Sequence, residues 1–492
     1  MSKNNYIQIS RQLGYSFVAR FSSFVLGPIL IVLLTRFLTV SEYGIYSLFK
    51  VTVDIMVVLF SLGLGTFIVT KLSSAGKNKR IRYFFSLNVF QAIFLSALVI
   101  ILLLFRNPLL GVLGAQQYQK HFLFMLAIVV IRIFIGLYSN YLMARKNIEF
   151  KSFIEVITIY GWTIFLAAFY LFTENFNLIH VLMAWLSGVF FTFLIEVFYL
   201  RKDLLAFFKT RFDSKVVRKG LAFGVPLFFA SLGALIFGLG DRYILAFLTD
   251  ASQVGIYNLG YSLTTIIISS AVVVPATLYP YMSEKWNTKG GYNTFFNMSI
   301  KIGLIIIFPC MAGLLVLREN IITLISGPDY LGAAVVIPVL IFFPLSQYLV
   351  THFHQNFLLK EKTKYLSIIY LVAAILNILL NFLLIPVMGI RGAALATLIV
   401  SILMALFMFF LSKKEFTWNF NYIKIHKMLL ASFLMGGVLY LVNPQVVWTK
   451  IMSILLGSAF YFGLLFLFKV FVDDEKELFR EFWNDKKLMF KF

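Results

Sequence analysis

Long apolar runs recur along nearly the whole of this chain, and they leave few folds open to it. About 20 apolar residues match the hydrocarbon thickness of a bilayer, and inside lipid every backbone amide and carbonyl needs a partner, so such runs read as spanning helices. Fourteen candidates are found, from 12–35 at the start to 451–468 near the end. Of 492 residues, 61% are hydrophobic and 13% charged, against roughly 25% charged in soluble domains. The expected fold class is an all-α integral membrane protein. The opening residues MSKNNYIQISRQ carry no short apolar core ending in small residues, so no removable signal peptide is expected and the first hydrophobic stretch should remain as a helix.

The net charge of +22 is explained first by basic cytoplasmic loops. With the N-terminus inside, only six of the 43 Lys and Arg residues fall in outer loops: Arg36, Arg106, Lys120, Arg318, Arg391 and Lys450. Five more lie within predicted spans, namely Arg20, Lys50, Arg132, Arg242 and Lys301. The remaining 32 are cytoplasmic, which predicts both termini on that side and calls for no nucleic acid. A single Cys310 forms no intrachain disulfide and no Cys cluster. His352 and His354, two apart on a helix, face different ways and make a poor metal site. No cofactor or metal is expected, and the chain shows no GxxxxGK[ST], HExxH or GxSxG signature. The reading is a transporter, not an enzyme.

Two stretches are alike. FLTVSEYGIYSL begins at Phe37 and FLTDASQVGIYNL at Phe247, each joining the first helix of a half to the second. Gly44 and Gly255 are offset by 211 residues, six predicted helices. An even number of crossings gives both copies one orientation, so the halves are expected to be parallel repeats. The domain plan that follows is an N-lobe over 1–200 (helices 1–6), a cytoplasmic interfacial linker over 201–219, a C-lobe over 220–411 (helices 7–12), helices 13–14 over 412–472, and a cytoplasmic amphipathic tail over 473–492. In the linker Leu204, Phe208 and Phe212 recur at every fourth position among basic residues, as in a helix lying on a membrane surface.

Charges kept within spans are expected to line a wet interior or to meet a partner. Arg132 falls near the midplane and is expected to line a cavity, the alternative being a buried pair with an acid on a neighbouring helix. Lys50 and Asp54 are four apart on one face and can partly neutralise each other. Arg20, followed by Gly27 and Pro28, is assigned to the interior. Lys301, Glu155 and Glu196 read as snorkelling anchors near helix ends. Asp241 and Arg242 are adjacent, so on a regular helix they point about 100° apart and each is expected to reach a different neighbour. Asn377 and Asn381 are expected to hydrogen-bond between helices.

The segment LLTRFLTVSEYGIYSL, its counterpart GDRYILAFLTDASQVGIYNLGYSL and the stretch LNILLNFLLIPVMGIRGAALAT resemble the multidrug, oligosaccharidyl-lipid and polysaccharide exporter superfamily, nearest to the Wzx-type polysaccharide/O-antigen repeat-unit flippases. That resemblance implies two six-helix lobes in a V around a central cationic cavity. It also implies alternating access that moves undecaprenyl-pyrophosphate-linked oligosaccharide from the inner to the outer leaflet of the bacterial cytoplasmic membrane. It makes Asp241 and Arg242 the paired positions, Asp241 with Asp54 being coupling or structural charges. Arg36, Gly44, Tyr46, Gly255, Tyr257, Asn381 and Pro386 become motif positions. Arg20, Lys50, Arg132 and Arg242 are the expected substrate-binding cations. Implied partners are the lipid-linked oligosaccharide, the bilayer, and a glycan polymerase with other polysaccharide-assembly proteins. A cation-coupled multidrug exporter of the same superfamily is the alternative, although the first helix lacks the acid such exporters often use. A membrane-embedded glycan polymerase or ligase is a further one.

Overall fold

The computed structural model describes residues 26–73, 75–107, 121–284, 291–360, 362–415, 422–442, 444 and 446–470. Arg20, the first part of the first predicted span and the predicted tail over 473–492 lie outside the described residues. Among the described residues all regular structure is helical. Among the described residues eleven helices are long and apolar enough to cross a membrane, or up to 13 if each of two bent pairs counts as one span. The all-α membrane class is therefore the observed one.

Helix α1 (Leu26–Phe37) is the described end of the first predicted span. A continuous stretch, Phe37–Gly255, joined by Tyr370–Ile378, forms one compact unit. It holds α2 (Val40–Ser61), α3 (Leu64–Leu72), α4 (Lys77–Leu104), α5 (Phe122–Ala144), α6 (Ile148–Phe172), α7 (Leu178–Leu205), α8 (Ser214–Leu239) and α9 (Asp241–Leu248). The first motif copy supplies the start of α2. Thr39 accepts from the Glu42 amide at 3.3 Å while Glu42 Oε2 accepts from the Thr39 amide at 3.0 Å, a reciprocal cap that satisfies two orphan donors. The other Glu42 oxygen accepts from the Leu178 amide at 3.3 Å, so one carboxylate serves the starts of α2 and α7. The helix stops at Leu62 and Gly63, both at positive φ (51° and 68°), and Gly63 lies against the Gly224 backbone of α8. A side chain at either glycine would push these helices apart. Below this contact Leu64, Phe67, Phe84, Leu87, Tyr141 and Leu200 form a closed core, with the Phe84 and Tyr141 rings stacked at 3.9 Å.

The second unit gathers the described residues up to Arg36, Ile256–Ile369 and those from Leu379 onward. Its helices are most of α10 (Ala251–Glu284), then α11 (Gly291–Ile325), α12 (Phe343–Leu359), α13 (Thr363–Met388, its middle belonging to the first unit), α14 (Ile390–Glu415), α15 (Tyr422–Val442) and α16 (Val447–Leu467). The short Pro328–Leu340 segment meets α12 at a 52° bend. Polar side chains cross this core in rungs along α12: Ser346 on Ser401, His352 on Ser299 at 2.8 Å, and Asn356 on Ser412 at 3.0 Å. Lys301 Nζ donates to the Val470 carbonyl at 2.7 Å.

Candidate functional site

On α2, Lys50 and Asp54 stand one turn apart, and the apolar run around them leaves the carboxylate no backbone amide to turn to. Lys50 Nζ reaches Asp54 Oδ2 at 2.9 Å. The second oxygen is taken from α5, where Arg132 NH1 lies 2.6 Å from Asp54 Oδ1. Two cations thus share one anion and leave a net positive charge. Side-chain exposure is 49% for Lys50, 26% for Arg132 and 17% for Asp54, so the cluster has an open face. For Arg132 the outcome combines both expectations: an ion pair with an acid on a neighbouring helix, in a place that is not sealed.

Between Lys50 and Asp54 on α2, Thr52 donates to the Leu48 carbonyl at 2.7 Å and its hydroxyl meets that of Tyr243 on α9. Two residues are about 200° on a helix, so that bond fastens α9 to the face of α2 opposite the cluster. Asp241 and Arg242 begin α9, and here the structure corrects the sequence reading. Arg242 NH1 lies 2.8 Å from Asp241 Oδ1 and 3.2 Å from the Gly238 carbonyl, so the two residues do pair. Both residues lie beyond the 43° bend at Gly240: Asp241 opens a new helix, where a carboxylate is favoured by the N-terminal dipole, and the long arginine side chain folds back toward Gly238 and so spans the angular offset to its neighbour. The pair is sealed, with Arg242 2% and Asp241 0% exposed.

Of the four expected substrate-binding cations, the structure brings Lys50 and Arg132 together on Asp54, closes Arg242 against Asp241, and does not describe Arg20. The motif positions are framework. Arg36 Nε donates to the Ile325 carbonyl at 3.0 Å and Nη2 to those of Thr323 and Leu324 at 3.2 and 2.8 Å, closing the C-terminus of α11. Gly44 and Gly255 meet: a Cβ on Gly44 would overlap the Ala251 carbonyl and stand 2.9 Å from the Gly255 amide. The two copies of the repeat therefore touch backbone to backbone. Tyr46 is buried beside Trp162 and Trp185, 6.4 and 6.1 Å between ring centres, and Tyr257 is buried against Tyr261 at 6.1 Å. Asn381 is fully buried and Pro386 lies inside α13.

Glu196 is a second correction. It does not snorkel; its side chain is 0% exposed and accepts from Ser139 Oγ at 2.8 Å. The sequence reading ended this span near 199, whereas α7 runs on to Leu205, which sets Glu196 well inside the helix. Asp203, two turns further along, holds Arg145 at 2.5 Å and Tyr141 at 3.2 Å. The sequence offered no signal for these partners or for the Thr52–Tyr243 bond, because each rests on helix rotation. Among the described residues, no group of three or more His, Cys, Asp or Glu gathers to hold a metal.

Comparison with known proteins extends this picture. The family described as "Polysaccharide biosynthesis protein" matches residues 9–286, more than half of the chain. A probable low-salt glycan biosynthesis flippase, Agl15, of Haloferax volcanii is 24% identical over 240 residues, 48% of this chain and 50% of that protein. The match thus spans only half the length of that relative. An uncharacterized membrane protein of Methanocaldococcus jannaschii, MJ1068, is 25% identical over 345 residues, 68% of this chain and 67% of that protein. Among solved structures, the lipid II flippase MurJ in an inward closed conformation superposes with a TM-score of 0.75 at 20% identity, covering 92% of this chain and 98% of its own. An inward-facing multidrug resistance MATE family transporter of the MOP superfamily gives 0.67 at 14% identity, over 81% of this chain and 98% of its own. The chain therefore belongs to the polysaccharide biosynthesis protein family, as a multi-pass membrane protein with the fold of the MOP superfamily of flippases and exporters.

Proposed function

We propose that this chain flips undecaprenyl-pyrophosphate-linked oligosaccharide from the inner to the outer leaflet of a bacterial cytoplasmic membrane, and that Lys50 and Arg132 meet the pyrophosphate. The observation that carries the reading is the open cluster in which one carboxylate is strung between two cations. A pyrophosphate crossing hydrocarbon must exchange its water for donors. An arginine fork matches phosphate oxygens two at a time, and a lysine adds a mobile point charge. Asp54 acts as a placeholder. It lowers the cost of holding two cations in a half-dry site while the site is empty, and yields them when a more highly charged anion arrives. Arg242, sealed against Asp241, is framework in this reading.

The likeness to a glycan biosynthesis flippase and to a lipid II flippase supports the same substrate class. A cationic drug would meet net positive charge at this cluster, which disfavours the multidrug alternative despite the shared fold. Alternating access, cytoplasmic termini and a glycan polymerase that takes up the product at the outer face complete the proposal. Direction comes from the membrane potential, since one elementary charge moved through 100 mV is worth about 2.3 kcal/mol. An interior-negative potential drives the anionic substrate outward and returns the empty cationic site.

The test is genetic and then biochemical. Deleting the gene should cause one lipid-linked saccharide to accumulate on the cytoplasmic leaflet. The purified chain in vesicles should flip that lipid, more slowly when the potential is collapsed at constant pH and sodium. No accumulation, or protection against lipophilic cations instead, would overturn the assignment.

A further inference from the structure

Glu196 is not used by the site described above, and its surroundings are unusual for an acid. The side chain is wholly buried in α7. Oε1 accepts one hydrogen bond, from Ser139 Oγ. Oε2 has no hydrogen-bond partner among the described residues. The cations on the helices around it are engaged elsewhere: Arg132 and Lys50 by Asp54, Arg145 by Asp203, and Lys151 by Glu155 at 2.5 Å. Lys146 also has a partner of its own, Arg201 lies over the Phe198 ring, and Lys202 is exposed in the last turn of α7. The remaining titratable groups of α5, α6 and α7 are the tyrosines Tyr138, Tyr141, Tyr160, Tyr170 and Tyr199, the acids Glu149, Glu155 and Asp203, and His180, whose Nδ1 accepts from the Asn177 amide at the far start of α7, about 24 Å along the helix from Glu196; none brings positive charge to it. An ionised carboxylate placed here would stand uncompensated, and the form that burial permits is the protonated acid.

Its position along the helices adds a second line of argument. Ser139 follows Arg132 by seven residues on α5, two turns and about 10 Å on one face. Asp203 follows Glu196 by the same interval on α7, and Tyr141 hydrogen-bonds Asp203. Glu196 thus lies between the Lys50–Asp54–Arg132 cluster and the Asp203–Arg145 pair, whose arginine is 39% exposed.

We propose that Glu196 is a proton-binding site of the transport cycle, occupied while α5 and α7 are packed as they are here and vacated when that packing loosens. The step is a simple one: the carboxylate takes a proton from water by way of the Asp203 end and becomes the neutral acid, and release needs water or a cation to reach Oε2. A proton held in only one arrangement of two helices shifts the balance between arrangements. The coupling role rests on the flippase reading; the proton site does not.

Two measurements separate them. Infrared difference spectra of the full chain in lipid, without substrate, should show a protonated-carboxyl band at neutral pH that is missing in Glu196→Gln. Ser139→Ala, which removes the one hydrogen bond, should shift that band and serves as the second variant if Glu196→Gln folds poorly. Absence of the band, or its persistence unshifted in both variants, overturns the site. In vesicles with the potential clamped, an inward proton gradient should speed flipping by wild type severalfold and Glu196→Gln by less than twofold. Equal acceleration of both overturns the coupling role. A wild-type chain that shows the band and flips no lipid-linked saccharide supports the proton site and sinks the flippase reading alone.

Discussion

Two acid–base groups in the same unit show what burial does to one chemistry. Asp241 and Arg242 are closed off, 0% and 2% exposed, and satisfy each other at 2.8 Å. Lys50, Asp54 and Arg132 use the same kinds of groups at similar distances, yet between a sixth and a half of each side chain is open. The sealed pair has one charge of each sign. The open cluster has one cation too many. A sealed, balanced pair can only hold helices in register, while an open, unbalanced one can exchange partners.

Removing one member from each group is the strongest way to break this comparison. Asp241→Ala takes from the buried Arg242 the carboxylate 2.8 Å away, and the cost should be about 3–5 kcal/mol of stability, read as a lowered thermal midpoint in detergent. Arg132→Glu should leave the fold intact but lower flipping at least about 100-fold, close to 3 kcal/mol, with Arg132→Lys keeping about a tenth of the rate. Lys50→Met should slow flipping about three- to tenfold and change stability by less than about 1 kcal/mol, as befits a half-exposed ion pair. Thr52→Val, which loses one hydrogen bond to Tyr243, should cost about 1 kcal/mol of stability and leave flipping within about twofold. The sharpest arm is a double replacement, Asp241→Leu with Arg242→Met. Hydrophobic substitutes for a buried ion pair are often neutral, so stability and flipping should both stay near wild type. A double variant that folds well and cannot flip would place the sealed pair in the working site.

Much of this was legible in the chain itself. The apolar runs announced the helices, because lipid leaves the backbone no other choice, and the four-residue spacing of Lys50 and Asp54 announced their bond. Thr39 and Glu42 likewise carry the spacing of a helix cap. What was not legible depends on rotation and breaks. Asp241 and Arg242, expected to diverge, pair because the arginine side chain folds back along its own helix, a rotamer choice that nothing in the apolar pattern marks. Glu196 was misplaced because the run of apolar residues thins before the helix ends, so an interior acid passed for a terminal one. That Arg132 would select Asp54 needed the facing of α2 and α5, which periodicity cannot supply.

Arg36 has its acceptors 287 to 289 residues further along the chain. At about 5–20 residues per second of synthesis, that guanidinium waits on the order of fifteen seconds to a minute before its carbonyls exist. The unit running from Phe37 to Gly255 is nearly complete by then, whereas the other draws on residues both before and after it. Biogenesis should therefore have a fixed order. A ribosome stalled near residue 260 should leave a protease-resistant first unit beside an accessible Arg36, and the clamp should close only once the chain has grown past Ile325.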